Sequence, residues 1–361
     1  MIKLKFLPAR FGDCIWMEYG DGQDVNRILI DGGTAGTRHD IRAVIEGLPE
    51  NDRHFELMVV THIDKDHIAG ILKLLEENDL GFKVRDFWYN GFKHLTKVEE
   101  VIDEDDEDFG AKQGEHLTQA ILKHGISWNG DFNHKAVVVD SDVLPKVTLP
   151  GGMELTLLSP TPELLEELKP KWVKEVTKAN MVPGGVSPVE EEEEEDEDEV
   201  FGQEIPDVDA LAQTPFHEDH SEANGSSIAF LATFKSKSIL FCGDAFPSQL
   251  VKALNIIDPN HKIDIDLMKV SHHASSHNTS PELLEKINCS NYIISTNGST
   301  FKHPKADTIS RIIKTSRAGT RLIFNYKSSI NEVWGVNSLK STHNYEAVYP
   351  EAGKDGIEIE L

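Results

Sequence analysis

The sequence predicts an α+β chain in which two β-sheets pack face to face with helices on both outer faces. Three observations predict it. Short β-rich runs come in two series, each followed by helical patterns. Four of the strand patterns end on side chains of metal-ligand type, as loops gathered at one edge of packed sheets would require. The composition is that of a globular protein: of 361 residues, 39% are hydrophobic and 27% charged, enough for a sizeable core.

In the first series, residues 3–7, 14–19 and 26–30 read as short strands separated by Gly/Asp turns, the third running into Asp31-Gly32-Gly33. Apolar spacing at Ile41, Val44, Ile45 and Leu48 predicts a helix. Residues 55–60, apolar save for Glu56, are suited to a buried strand. Ile71, Leu72, Leu74 and Leu75 mark a helix over 68–77, residues 84–90 are β-rich, and 113–124 fit an amphipathic helix. The second series has strands at 136–139, 146–149 and 153–158. A helix then runs to Val176, with Thr161 as its N-cap and Pro162 at its first position. Residues 226–234 and 238–242 read as a hairpin ending at Gly243-Asp244, and 266–270 as a strand running into Ser271-His272-His273. A helix at 281–287, a strand at 291–295, a helix opened by His303-Pro304 and a strand at 321–325 complete the pattern. The whole of 1–361 is expected to be a single domain.

Two segments stand apart. Residues 98–110 are expected as an acidic surface loop. Residues 180–205 contain Pro-Gly-Gly and an unbroken acidic run at 190–199, and cannot bury enough apolar surface to order themselves. The bland role for this insertion is a solvating spacer; the sharper one is recruitment of a basic protein partner.

Net charge is −26, and the acidic runs at 103–108 and 190–199 account for sixteen of the carboxylates, leaving the rest near −10. No broad basic face is available for a polyanion, so contact with a phosphate-containing substrate, nucleic acid included, would have to be local and metal-assisted. Mean hydropathy is −0.36 and no apolar run approaches a membrane span, so no membrane association is expected. The N-terminal alternation lacks the apolar core of a signal peptide, and three scattered cysteines (Cys14, Cys242, Cys289) fit a reducing cytoplasm. Nothing in the sequence sets the oligomeric state.

The densest chemistry lies in Thr61-His62-Ile63-Asp64-Lys65-Asp66-His67-Ile68-Ala69-Gly70, with two histidines and two aspartates in six positions. Asp31, Asp244 and the pair His272/His273 also sit at strand ends. Two metal ions about 3.5–4 Å apart need a bridging carboxylate and two or three further ligands each, and this set is large enough. A hydroxide shared between them would be the nucleophile, and the ions would clamp a phosphate or carbonyl oxygen. The bland alternatives are an Asp-Gly-Gly turn at Asp31, a Gly-Asp turn at Asp244, a hydrogen-bonded histidine pair, an Asn-Gly turn at Asn297 and an ordinary helix start at His303.

The segment His62-x-Asp64-x-Asp66-His67 resembles the His-x-His-x-Asp-His signature of the metallo-β-lactamase fold, with Asp64 in place of the second histidine. That variant is similar to the metallo-β-lactamase-like domain of ComEC-type competence proteins and their stand-alone soluble relatives. Ile30-Asp31-Gly32-Gly33 resembles the family's first motif, and Gly243-Asp244 its bridging-aspartate motif. Asn224-Gly225-Ser226-Ser227 resembles the segment where this subgroup carries Asn instead of the third-motif histidine. Lys269–Ser275 is similar to the Val-Pro-His-His-Gly-Ser segment, and Ser295–Asn297 and His303-Pro304 to the closing strand and loop.

The resemblance implies a metallo-β-lactamase αββα sandwich and a metal-dependent hydrolase. It places His62 and Asp64 on a first divalent ion, and Asp66, His67 and one of His272/His273 on a second. Asp244 would bridge the two. His273 is the favoured ligand, which leaves His272 facing substrate. Asp66, His272 and His303 form the implied catalytic set, Asn297 and His303 are candidate phosphate contacts, and Asp31 would orient a ligand histidine. Asn224 lacks the ring of the histidine it replaces, so the first ion has fewer protein ligands; His217 and His220 are candidates to supply one. Asp64 makes the site richer in oxygen, shifting preference from Zn²⁺ towards Mn²⁺. The reaction expected is phosphodiester hydrolysis, as by a phosphodiesterase or nuclease. The alternatives are hydrolysis of a small ester, lactone or phosphate monoester, and a metal-binding regulatory module.

Overall fold

The computed structural model describes residues 1–22, 24–95, 110–179, 181, 183–184 and 205–361. The expected acidic loop 98–110 and insertion 180–205 lie outside these residues, save Gly110, Met181, Pro183, Gly184 and Ile205.

Strand alternation builds the layers. In Val25–Ile30, Ile28 and Ile30 join the cluster between the sheets, while Leu29 joins a second cluster on the outer face. Leu57 and Val59 point inward and Met58 outward by the same period of two. The first sheet has six strands, in the order Ile357–Glu360, Ile2–Phe6, Ile15–Gly20, Val25–Ile30, Leu57–Val59, Phe87–Trp88. Its first four are antiparallel and its last two add in parallel. The second sheet has eight, in the order Tyr345–Val348, Thr320–Phe324, Asn291–Ile294, Leu267–Lys269, Lys237–Phe241, Ala229–Phe234, Glu154–Ser159, Lys146–Thr148. The run from Lys237–Phe241 to Tyr345–Val348 is parallel.

The inner faces meet through apolar side chains: the rings of Tyr19 and Phe234 lie 5.5 Å apart, and those of Trp88 and Phe230 6.1 Å. Helices Arg38–Glu46, Lys65–Leu75, Ala111–Lys123 and Pro162–Lys178 pack on the first sheet, and Pro247–Ile257, Pro281–Lys286 and Ala306–Thr315 on the second. This is the expected αββα sandwich. Among the described residues, no helix is long and apolar enough to cross a membrane.

Two local expectations fail. Residues 136–139 form no strand, because the side-chain amide of Asn90 takes both backbone bonds of Val137 at 2.8 and 2.9 Å, where a neighbouring strand would have bonded. The helix expected from His303 begins only at Ala306. Beyond residue 325, where no element was expected, the chain supplies two edge strands, one of which, Ile357–Glu360, pairs with Ile2–Phe6 at the other end of the chain.

Parallel register positions the site. Ile30 pairs with Val59, and Phe241 with Lys269, which pairs with Ile293. The residues that follow these strand ends therefore emerge at one edge of the sandwich, where ligands of open parallel sheets bind. They are Asp31, His62, Asp244 and His272/His273.

Candidate metal centre

The centre begins with the tight turn at Asp31, whose φ of 57° lies in the left-handed region. Its buried carboxylate accepts from Thr61 N at 2.7 Å, from Thr61 Oγ1 at 2.8 Å and from His67 Nδ1 at 2.8 Å. Helix Lys65–Leu75 is pressed directly onto this turn. A Cβ at Gly70 would lie 1.9 Å from Gly32 O, and one at Gly32 would lie 2.2 Å from Ile71 N. Only glycines allow that approach, and it sets His67 over Asp31. The helix starts three residues earlier than the apolar spacing indicates, so Asp66 and His67 belong to its first turn.

Four imidazoles are oriented in the same way. His273 Nδ1 donates to Ser295 O at 2.7 Å, and His67 Nδ1 to Asp31. His62 Nδ1 lies 3.1 Å from Thr61 Oγ1, whose own proton goes to Asp31. His272 Nδ1 meets Asn278 Oδ1 at 2.9 Å, while Asn278 Nδ2 donates to Asp219 and to Asp244 O. With each Nδ1 so committed, the lone pair falls on Nε2. The Nε2 atoms of His62, His67, His272 and His273 lie 3.8, 3.4, 3.8 and 3.8 Å from one atom, Asp244 Oδ2. Asp66 Oδ2 is 3.4 Å from His273 Nε2 and 3.8 Å from His67 Nε2, and Asp64 Oδ2 is 3.4 Å from His62 Nε2.

These donors fit a divalent ion. His67 Nε2 and His273 Nε2 stand 3.3 Å apart. Two imidazoles on one tetrahedral ion, with bonds of about 2.0–2.1 Å, have nitrogens separated by about that much. His62 Nε2 and Asp244 Oδ1 are buried without a hydrogen bond. The cluster Asp13, His67, Asp244 and His273, all buried, has one ligand-type atom from each within 4.8 Å of the others and could hold a metal. Within it Asp13 faces the back of His273: its Oδ1 is 3.5 Å from Nδ1, and its Oδ2 is ion-paired with Lys269. Asp66, which faces the Nε2 atoms, is the better-placed donor.

Charge follows the same geometry. Burial alone would lower the pKa of His67, but Asp244, Asp66 and Asp31 together hold it well above the ordinary imidazole value. His273 is likewise raised against its burial, by Asp13 and Asp244. Burial would raise Asp66, but His67 and His273 bring it down to about 2, and Asp244 is held well below the usual carboxylate range. Without a metal the raised values favour protons on His67 and His273, and a divalent ion would displace them.

Around this centre the other expected residues divide. Asn224 is buried, donates to Asp219 Oδ2 at 2.6 Å and lies 3.4 Å from His272 Nδ1, so it stands behind His272. His217 and His220 are exposed and do not supply the missing ligand; the aspartate between them, Asp219, faces His272 Nδ1 at 3.8 Å instead. The ring of His303 lies 5.5 Å from that of His272, and its Nδ1 is buried without a hydrogen bond. Burial, then His272 and His273, push its pKa down to about 2, so it is neutral. The Oδ1 of Asn297 accepts from Ser299 N and Oγ at 3.0 and 2.9 Å; it closes a turn and is not drawn into the centre. His272, His273 and Ala274 are consecutive non-glycine residues with φ of 46°, 50° and 66°, a strained arrangement of the kind found at functional sites.

Sequence reasoning missed Asp13, Lys269, Asp219 and Asn278. Lys269 carried a readable signal: a lysine between Met268 and Val270 in an otherwise apolar buried strand needs a charged partner. Asp13 gave none.

No protein-family model matches the chain, and no curated protein matches it. Solved structures are similar to it at low identity. The metallo-beta-lactamase fold protein YhfI from Bacillus subtilis has 10% identity over the whole of both chains and a TM-score of 0.42. Zn(2+)-bound PqqB from Methylobacterium extorquens has 11% identity, also over the whole of both chains, and a TM-score of 0.44. CmlA, a diiron beta-hydroxylase from Streptomyces venezuelae, has 11% identity and a TM-score of 0.41; this chain spans only 54% of its length. At such scores the architecture rests on the strands and helices described above.

Proposed function

We propose that this chain is a metal-dependent hydrolase of the metallo-β-lactamase kind, related to the ComEC-type domain, and that it cleaves phosphodiesters. The observation that carries the reading is the convergence of four imidazole Nε2 atoms on Asp244 Oδ2, flanked by Asp64 and Asp66. His67, His273, Asp66 and Asp244 would hold one ion, and His62, Asp64 and Asp244 a second. The mixed nitrogen and oxygen donors suit Zn²⁺ and Mn²⁺. When bound, such an ion supplies Lewis acidity, polarising a phosphoryl oxygen and lowering the pKa of water towards about 7.

The chain's own groups do the rest. Asp31 fixes the tautomer of His67, and Ser295 O that of His273, so both present a lone pair to the centre. Lys269 sits 3.8 Å from Asp244 Oδ1 and offsets the negative charge gathered there. His272, one-quarter exposed, presents Nε2 from the open side, where it would meet a phosphate. Neutral His303 beside it would donate to a phosphoryl oxygen without adding charge. The net charge of −26 disfavours a long polyanion, so short phosphodiesters or locally held single strands are the better substrates.

The test is hydrolysis of bis(p-nitrophenyl) phosphate with Mn²⁺ or Zn²⁺. We expect turnover that is lost in Asp244→Ala. Turnover of monoesters or lactones with no diesterase activity would overturn the diesterase reading.

A further inference from the structure

We propose that Phe11 and Phe301 form an aromatic seat at the rim of the centre, on which a base of the phosphodiester stacks. This rests on the phosphodiesterase reading and adds a binding subsite to the same site. Phe301 is a large apolar side chain left 39% exposed. Alone that would be ordinary; its position is not. Its ring lies 6.0 Å from that of His303, which lies 5.5 Å from that of His272, whose Nε2 faces Asp244. On its other side Phe301 meets Phe11 edge to face at 6.0 Å. A line of rings thus runs outward from the metal position to the surface.

The seat is built rather than incidental. Phe11 comes from a loop locked to the centre: a Cβ at Gly12 would lie 1.8 Å from Asp66 O, and Asp13 N donates to Asp66 O at 3.2 Å. The loops that carry the two rings are tied together. Asn297 N donates to Arg10 O at 2.8 Å, Ser295 Oγ to Gly12 O at 3.0 Å, and Arg10 N to Tyr326 Oη at 2.8 Å. Arg10 and Lys302, each beside one of the phenylalanines, have φ of 58° and 55°. Between seat and centre, His303 is only 6% exposed and its Nδ1 has no hydrogen bond, a polar atom left for a ligand. The chemistry needs such a seat. An acidic protein gains little affinity from long-range attraction to phosphate, and stacking of a base on an aromatic ring adds affinity of its own, about 1–3 kcal/mol per base.

The experiment is calorimetric titration of the metal-loaded protein with thymidine 5′-monophosphate, methyl phosphate and inorganic phosphate. The nucleotide is expected to bind about tenfold or more tighter than methyl phosphate, the range of one stacked base. In Phe301→Ala and Phe11→Ala that preference should fall to about twofold or less, with metal content and methyl phosphate affinity unchanged. Equal affinities in the wild type, or a preference that survives Phe301→Ala, would overturn the seat while leaving the diesterase reading intact. A preference restored by Phe301→Leu would also overturn it, because the surface would then be apolar only. Failure of all three ligands to bind metal-loaded protein would overturn both proposals.

Discussion

Lys269→Met would strip the ammonium from a carboxylate that water cannot reach. Lys269 and Asp13 are each only 1% exposed and are ion-paired. The ammonium also lies 3.8 Å from Asp244 Oδ1 and donates to Gly243 O at 3.4 Å. Breaking one side of such a pair leaves a buried charge and costs about 3–5 kcal/mol. Replacing both partners by apolar side chains is often close to neutral, so Asp13→Leu/Lys269→Met should lose much less than the two single losses added together. The assay is urea unfolding of the metal-free wild type, both single variants and the double variant. Burial opposes the charge on Lys269, but Asp13 and Asp244 raise its pKa above the ordinary lysine value. A raised lysine stabilises fully below its unfolded value near 10.5 and loses that effect as pH rises through the folded value, so measurements at pH 8 see the whole of it. A loss below about 1 kcal/mol in Lys269→Met, or additive losses in the double variant, would refute the reasoning.

Asp31→Ala should weaken metal binding by about 10- to 100-fold, because His67 loses the acceptor that fixes its tautomer; a chelator-competition titration would measure it. Raised imidazole pKa values at His67 and His273 mean that protons compete with the metal from above the ordinary value of about 6.5. The apparent metal affinity should therefore fall as pH is lowered, beginning above the ordinary imidazole value of about 6.5, and a flat profile would count against the centre. The same shifts stabilise the metal-free protein fully below about 6.5 and less as pH rises through the folded values, so its melting temperature should fall on that rise. Gly70→Ala would drive a Cβ to 1.9 Å from Gly32 O and should destabilise by about 1–3 kcal/mol, seen as a lower melting temperature.

Much of the site was legible in the sequence because its donors fall at strand ends and in one six-residue cluster. His62, Asp64, Asp66, His67, Asp244 and the histidine pair come together as their positions in the chain implied. The two sheets were legible for the same kind of reason: alternation such as Ile28-Leu29-Ile30 states which side each residue faces. What escaped depends on tertiary contact alone. Asp13 and Lys269 lie far apart in sequence and meet only when the two sheets pack. Asp219 sits between two histidines that drew attention to the wrong side chains. Asn90 imitates a strand at Val137, and no periodicity can reveal a side-chain amide that replaces a neighbouring strand.

Metal content tests the central claim most directly. Protein stripped with a chelator, dialysed against Mn²⁺ or Zn²⁺ and then against metal-free buffer, would be analysed per chain for the wild type, Asp244→Ala and His67→Ala. The geometry around Asp244 Oδ2 predicts at least one ion per wild-type chain and a loss of tight binding in both variants. A wild-type chain that retains no divalent ion, or variants that retain as much as the wild type, would contradict it.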